Sequence, residues 1–172
     1  MKTICLYFEI HQNIQLKRYR FFDIGTDHYY YDDYEDERII EDVTERSYMP
    51  ALNAIGEMIK ENGKYFKVAF SLSGVGMEQL EIHAPQVIEK LQELNQTGCV
   101  EFLAEPYSHG LASLANEESF TKEVKRQCQK MKEYFGQEPK VLRNSSLIYS
   151  DEIGLQASQM GFKGMLTEGA RH

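Results

Sequence analysis

The chain has 172 residues, of which 42% are apolar and 27% charged, and this suits one soluble globular domain with a sizeable core. Nineteen Lys and Arg against 27 Asp and Glu leave a net charge of -8. That balance argues against a nucleic-acid backbone or an anionic membrane as the principal partner, because both call for a basic face.

The first predicted element is a strand over residues 2–10, KTICLYFEI. Glu9 and His11 interrupt its apolar run, which is too short for a signal-peptide core and lacks a small-residue cleavage site. No stretch is apolar for long enough to span a membrane. Residues 11–47 read as a long loop that holds YYYDDYEDER at 29–38. Such a loop is either a solvated surface or a cover whose tyrosines stack on a ligand.

A helix follows, with Pro50 near its start and Tyr48, Leu52, Ile55 and Ile59 on one face. A strand is predicted over 65–72. Pro85 opens the next helix, striped by Val87, Ile88, Leu91 and Leu94, and a strand over 99–105 comes after it. Asn116 is the candidate N-cap of a helix striped by Phe120, Val124, Cys128, Met131 and Phe135. After a strand over 140–145, Ser150 caps a helix carrying Ile153, Ala157 and Met160. The last strand is predicted over 162–167.

Gly63, Gly98, Gly136 and Gly161 each stand between an amphipathic segment and an apolar run, where a glycine closes the last helical turn. The alternation predicts an α/β fold of parallel β/α units in a single domain over 1–172. The glycines lie 25 to 38 residues apart, too irregularly for a solenoid. An open doubly wound sheet and part of a barrel both remain. No G-x-G-x-x-G follows the first strand and no G-x-x-x-x-G-K-[ST] occurs, which argues against a nucleotide site. Cys5, Cys99 and Cys128 are odd in number, far apart and without a C-x-x-C. They are expected to be reduced, buried thiols of a cytoplasmic protein.

In β/α architectures ligands bind at the C-terminal ends of the strands. The first strand ends in Glu9, His11 and Gln12, and the second in Ser71, Ser73 and Gly74. The third ends in Glu105, with Tyr107 and His109 after it. The fourth ends in Arg143, Asn144, Ser145 and Ser146, and the fifth in Thr167, Glu168 and Gly169. Imidazoles, carboxylates, a guanidinium, amides and hydroxyls on one rim suit a polyhydroxylated ligand, with tyrosine rings for apolar sugar faces.

His11 and His109 with Glu9 or Glu105 have metal-ligand chemistry. No H-x-x-x-H or H-E-x-x-H places two ligands on one helix face, so neither a metal nor another cofactor is expected. No G-x-S-x-G surrounds Ser145 or Ser146. Asp151 and Glu152 suit a helix N-terminus. His28 and His83 receive no role.

Five segments in order, ICLYFEIHQN (4–13), FKVAFSLSGVGMEQLE (66–81), TGCVEFLAEPYSHGLASL (97–114), KVLRNSSLIYSDEIG (140–154) and MGFKGMLTEGA (160–170), together resemble the α-amylase-like members of glycoside hydrolase family 57. The resemblance implies a seven-stranded β/α barrel that acts on α-glucans, oligo- or polysaccharides, with retention by two carboxylates. The family's His-Gln-Pro is matched by His11 and Gln12, with Asn13 in place of the Pro. Glu101, Glu105 and His109 match a Glu-rich strand and a sugar-contacting His. The family's Arg-Asn-Thr-Glu-Leu-Ile-Tyr, which carries the nucleophile, reads Arg143-Asn144-Ser145-Ser146-Leu147-Ile148-Tyr149 here. Ser146 therefore stands at the catalytic nucleophile position. The implied substrate-binding set is His11, Gln12, Glu105, His109, Arg143, Asn144 and Glu168.

The family's general acid is an Asp on a later strand, and the chain reaches His172 after its fifth. The resemblance thus implies the N-terminal portion of the catalytic barrel. Its open edges call for completion by another chain, by self-association or by a further part of the protein. The expected function is an α-amylase-like domain that acts on or binds α-glucans, with hydrolysis impaired. The alternatives are a non-catalytic carbohydrate-binding or regulatory protein and a metal-dependent polysaccharide deacetylase, deacetylases having a related barrel.

Overall fold

The computed structural model describes residues 4–169. Its elements in chain order are β1 (Tyr7–Ile10), α1 (Asp33–Val43), α2 (Met49–Asn62), β2 (Val68–Leu72), α3 (Gly74–His83), α4 (Pro85–Gln96), β3 (Val100–Leu103), α5 (Ala112–Ala115), α6 (Glu117–Phe135), β4 (Val141–Arg143), α7 (Asp151–Gln159) and β5 (Gly164–Leu166). β1 pairs in parallel with β2, β2 with β3, and β4 with β5. A single parallel bridge, Ala104 to Leu142, joins β3 to β4. Two hydrogen bonds hold it, Ala104 N–H to the Val141 carbonyl at 2.9 Å and Arg143 N–H to the Ala104 carbonyl at 2.8 Å. Strand order therefore follows chain order from β1 to β5. A doubly wound sheet reverses its order at a switch point, whereas a barrel does not, so this order selects the barrel.

All five strands lie where the apolar runs put them, though shorter. β1 begins at Tyr7 rather than at residue 2, although pairing reaches Leu6, whose carbonyl accepts from Ala69 N–H. Lys2 and Thr3 lie outside the described residues. The predicted helices form with the expected caps. Asn116 accepts from Ser119 N–H and Ser150 from Ile153 N–H. Gly136 closes α6 at φ 67°, ψ 5°, its N–H on the Lys132 carbonyl.

The structure departs from expectation in two segments. The segment 11–47 is not one long loop, because α1 starts at Asp33 and runs through a wide turn, Thr44–Tyr48, into α2. The carboxylates of YYYDDYEDER are largely its N-terminus. Asp32 caps it by accepting from Glu35 N–H, and Asp33, Glu35 and Asp36 fill the positive first turn. The expected end of the second strand at Ser71, Ser73 and Gly74 instead opens helix α3, in which Gly74 and Gly76 are poor helix formers. Packing requires Gly74: a Cβ there would lie 2.2 Å from the buried Tyr107 ring. Cys99 is buried as expected, whereas Cys5 is exposed and Cys128 partly buried; all three are free.

Alternate strand residues point away from the barrel interior and form the core. Phe70, Leu72 and Phe102 pack with Leu52, Ile55, Leu91, Leu94 and Phe135 of α2, α4 and α6. A second cluster joins Ala104 and Leu142 to Phe120 and Val124 of α6 and to Ile153 and Ala157 of α7. Gln127, fully buried on α6, ties the strand ends together. Its amide donates to the Leu72 carbonyl at 2.9 Å and accepts from Glu105 N–H at 3.4 Å. Among the described residues no helix is long and apolar enough to cross a membrane.

Candidate functional site

The opposite set of strand residues lines the interior. Register places Tyr7 beside Ala69, Glu9 beside Ser71, and Ser71 beside Leu103, while Arg143 follows the bridge on β4 and Glu105 follows it on the β3 side. Tyr7 and Ser71 hydroxyls are bonded at 2.6 Å. Burial pushes the Tyr7 hydroxyl above its ordinary range.

Above them, at the C-terminal ends of the strands, Arg143 is the hub. Its Nη2 donates to Glu9 Oε2 at 2.7 Å and its Nη1 to His109 Nδ1 at 3.3 Å. The same Nη1 lies 3.7 Å from Glu105 Oε2. Because a guanidinium only donates, His109 Nδ1 accepts, and its proton is on Nε2. His109 stacks on His11, ring centroids 4.2 Å apart. His11 Nε2 is 2.9 Å from Asn13 Oδ1, an acceptor, so this ring also carries its proton on Nε2 and its Nδ1 accepts from the Ser73 hydroxyl at 2.6 Å. Ser73 in turn caps α3, accepting from Gly76 N–H.

Glu105 is fully buried, and neither of its oxygens makes a hydrogen bond. Burial raises its carboxyl to about 8, with the neighbouring Ser71 hydroxyl and Arg143 opposing and Glu9 reinforcing the shift. Burial, helped by His11 and Arg143, lowers His109 to about 4. Near neutral pH Glu105 therefore holds its proton and His109 is uncharged. The Arg143 guanidinium pairs with the Glu9 carboxylate at the mouth of the cluster, with Glu105 beneath it and His109 beside it.

After β4 the chain makes a strained turn. Ser146 and Leu147 both have positive φ, 54° and 56°, and so does His109 at 54°. Asn144 holds the turn. Its Oδ1 accepts from Ser145 N–H, and its Nδ2 donates to the Ile148 carbonyl and to the Ser113 hydroxyl, each at 2.9 Å. Across the turn, Glu168 N–H donates to the Leu147 carbonyl at 3.1 Å. Ser146 is exposed at the tip and the Ser145 hydroxyl is buried beneath without a partner.

The structure thus gathers His11, Glu105, His109 and Arg143 into one cluster, with Ser146 and Glu168 on the adjacent rim. The Gln12 amide donates to the Tyr48 hydroxyl at 3.4 Å and is not among the hydrogen-bond partners of Arg143. Asn144, fully buried, builds the turn, and Glu105 lies beneath the surface, so neither offers a free polar group to a ligand directly. Glu9 stands outside the implied substrate-binding set, although it is the half-exposed anion that Arg143 holds. The alternation of Tyr7 and Glu9 against Phe8 and Ile10 was the signal for it. Glu9, Glu105 and His109 also offer ligand atoms all within 4.8 Å of one another. Arg143 already places a cation among them, so a metal ion there would have to displace the guanidinium.

Residues 5–172 match the model of glycosyl hydrolase family 57. A curated protein of Methanocaldococcus jannaschii, named "Putative alpha-amylase", is 36% identical over 141 residues, which is 81% of this chain and 30% of that one. The chain therefore spans under a third of that relative's length. The 4-alpha-glucanotransferase of Thermococcus litoralis superposes with a TM-score of 0.69 over 94% of this chain and 22% of its own, at 15% identity. A family 57 branching enzyme of Thermococcus kodakaraensis, crystallised with glucose, gives 0.60 over 94% of this chain and 39% of its own, at 14% identity. The five parallel β/α units are thus part of a seven-stranded β/α barrel.

Proposed function

Because the chain belongs to glycosyl hydrolase family 57, we propose that residues 1–172 are the N-terminal portion of an α-glucan-binding barrel in which hydrolysis is impaired. The exposed Ser146, on the strained turn at the end of β4, carries this reading. Retaining hydrolysis needs one carboxylate to attack the anomeric carbon and a second group to protonate the leaving oxygen. A serine hydroxyl at the first position supplies neither the charge nor the bond without a strong base. His109, lowered to about 4, is too weakly basic to take that proton. The acid would come from a sixth or seventh strand, supplied by a further segment, a partner or self-association. Arg143, Glu9, His109 and His11 would bind the sugar hydroxyls, in a cytoplasmic protein.

Turnover of maltooligosaccharides by the wild-type chain and by Ser146→Glu tests this, with the barrel completed if a completing segment is found. The expected result is no turnover by the wild-type protein and measurable turnover by Ser146→Glu in the completed barrel. Wild-type turnover at ordinary enzyme rates would overturn the proposal. The second reading, a purely carbohydrate-binding or regulatory protein, is favoured by the Glu9 and His109 groups at the rim, which offer hydrogen bonds without a nucleophile. It expects saturable maltooligosaccharide binding in calorimetry and no turnover by either form.

A further inference from the structure

Two buried groups in the cluster are left without partners, and they are neighbours. Both Glu105 oxygens and the Arg143 Nε–H make no hydrogen bond, at 0% and 5% residue exposure. An ionised carboxylate this close to a guanidinium ordinarily closes to a bidentate pair. Here Nη1 stands 3.7 Å from Glu105 Oε2 and spends its proton on His109, while Nη2 goes to Glu9. The guanidinium is turned toward the rim and leaves the carboxyl beneath it without a hydrogen bond.

We propose that Glu105 is the positioning residue of the cleft, and that its proton sets which groups Arg143 holds. With the proton on, Arg143 points at Glu9 and His109 and fixes both toward a ligand. With the proton off, the guanidinium closes the gap to Glu105 and releases His109 Nδ1. The groups that face Glu105 are Tyr7 and Glu9 from β1, Ser71 from β2, His109 from the loop after β3, and Arg143 from β4. His11 stands one ring further, behind His109. Of these, Glu105 is the group shifted to about 8, while His109 is uncharged throughout that range. The step moves one proton between Glu105 and water and breaks no covalent bond.

The consequence for sugar affinity rests on the glucan-binding reading, so the test begins without a sugar. In the first arm, nuclear magnetic resonance follows the Arg143 guanidinium and the Glu105 carboxyl from pH 6 to 9.5, with Glu105→Gln as the control. The expected result is a common midpoint near 8 for both signals, lost at Arg143 in Glu105→Gln. A flat Arg143 signal in the wild-type chain, or the same shift in Glu105→Gln, overturns the proposal whether or not any sugar binds. In the second arm, calorimetry with maltoheptaose reads affinity across the same range. Release of one hydrogen bond predicts roughly fivefold weaker binding at pH 9 than at pH 6.5, abolished in Glu105→Gln. Absence of binding at every pH removes the glucan reading and leaves the first arm to judge Glu105. Equal pH dependence in both proteins overturns its role in binding.

Discussion

Every strand of this sheet has two sides, and they are built on opposite terms. Facing the helices are Phe70, Leu72, Phe102 and Leu142, each 2% exposed or less and packed on apolar side chains. Facing the interior, one residue away along the same strands, are Tyr7, Glu9, Ser71 and Arg143, with Glu105 just beyond β3 and unpartnered. The outer side lowers the free energy of the fold by removing apolar area from water. The inner side gathers ionisable groups, and burial there raises the Glu105 carboxyl. The contrast teaches that a parallel β/α sheet separates stability from binding by a shift of a single residue in register.

The largest test of the contrast is on the outer side. Phe102→Ala leaves a cavity between β3, Phe70 and Phe135 and is expected to lose about 3–5 kcal/mol in urea unfolding. On the inner side, Arg143→Met is expected to change stability by less than about 2 kcal/mol, since the Glu105 it leaves behind is uncharged and Glu9 reaches water. The same substitution should weaken maltoheptaose binding about tenfold or more, read by calorimetry. A loss of stability equal to that of Phe102→Ala would erase the distinction between the two sides.

A third test uses pH. The Glu105 carboxyl is raised on folding, so above its ordinary 4.5 the folded chain holds a proton that the unfolded chain has lost, and stability falls as pH climbs to about 8. His109 is lowered from 6.5 to about 4, so between those values the unfolded chain binds a proton that the folded one refuses, and stability rises with pH. The two slopes oppose each other up to about pH 6.5, and above it Glu105 acts alone. Stability from denaturant melts is expected to fall by about 2 kcal/mol between pH 6.5 and 8. Glu105→Gln should remove that fall, while Phe102→Ala should keep it.

The smallest effect is at the turn. Ser146→Gly relieves a positive φ but loosens the unfolded chain, for a net gain of about 0.5 kcal/mol in the same melts. A loss greater than about 1 kcal/mol would mean that the Ser146 hydroxyl supports the turn.

Much of the fold was legible along the chain because its signals are local. Asn116 and Ser150 sit where a cap accepts from the second or third N–H, and the apolar stripes of α2, α4 and α6 recur at helical spacing. α1 is masked by an acidic, tyrosine-rich run with the composition of a solvated loop, although Asp32 before Ile39, Ile40 and Val43 is a cap-and-stripe signal. α3 is masked for a different reason. Its Gly74 answers to the Tyr107 ring 33 positions away, and nothing in its own neighbourhood states that need.

The site divides in the same way. The order of polar residues after each apolar run determined that His11, Glu105, His109, Arg143 and Ser146 share one rim, because parallel strands bring their C-terminal ends together. Only the tertiary structure decided what each does there. Asn144 turned inward to build the turn, Glu105 went under the surface, and Glu9 emerged as the anion of the pair. Sequence fixes chemical type and face through the two-residue period of a strand. Depth, charge state and partner depend on how far each strand end projects past its neighbours, and that is settled only when the strands have packed.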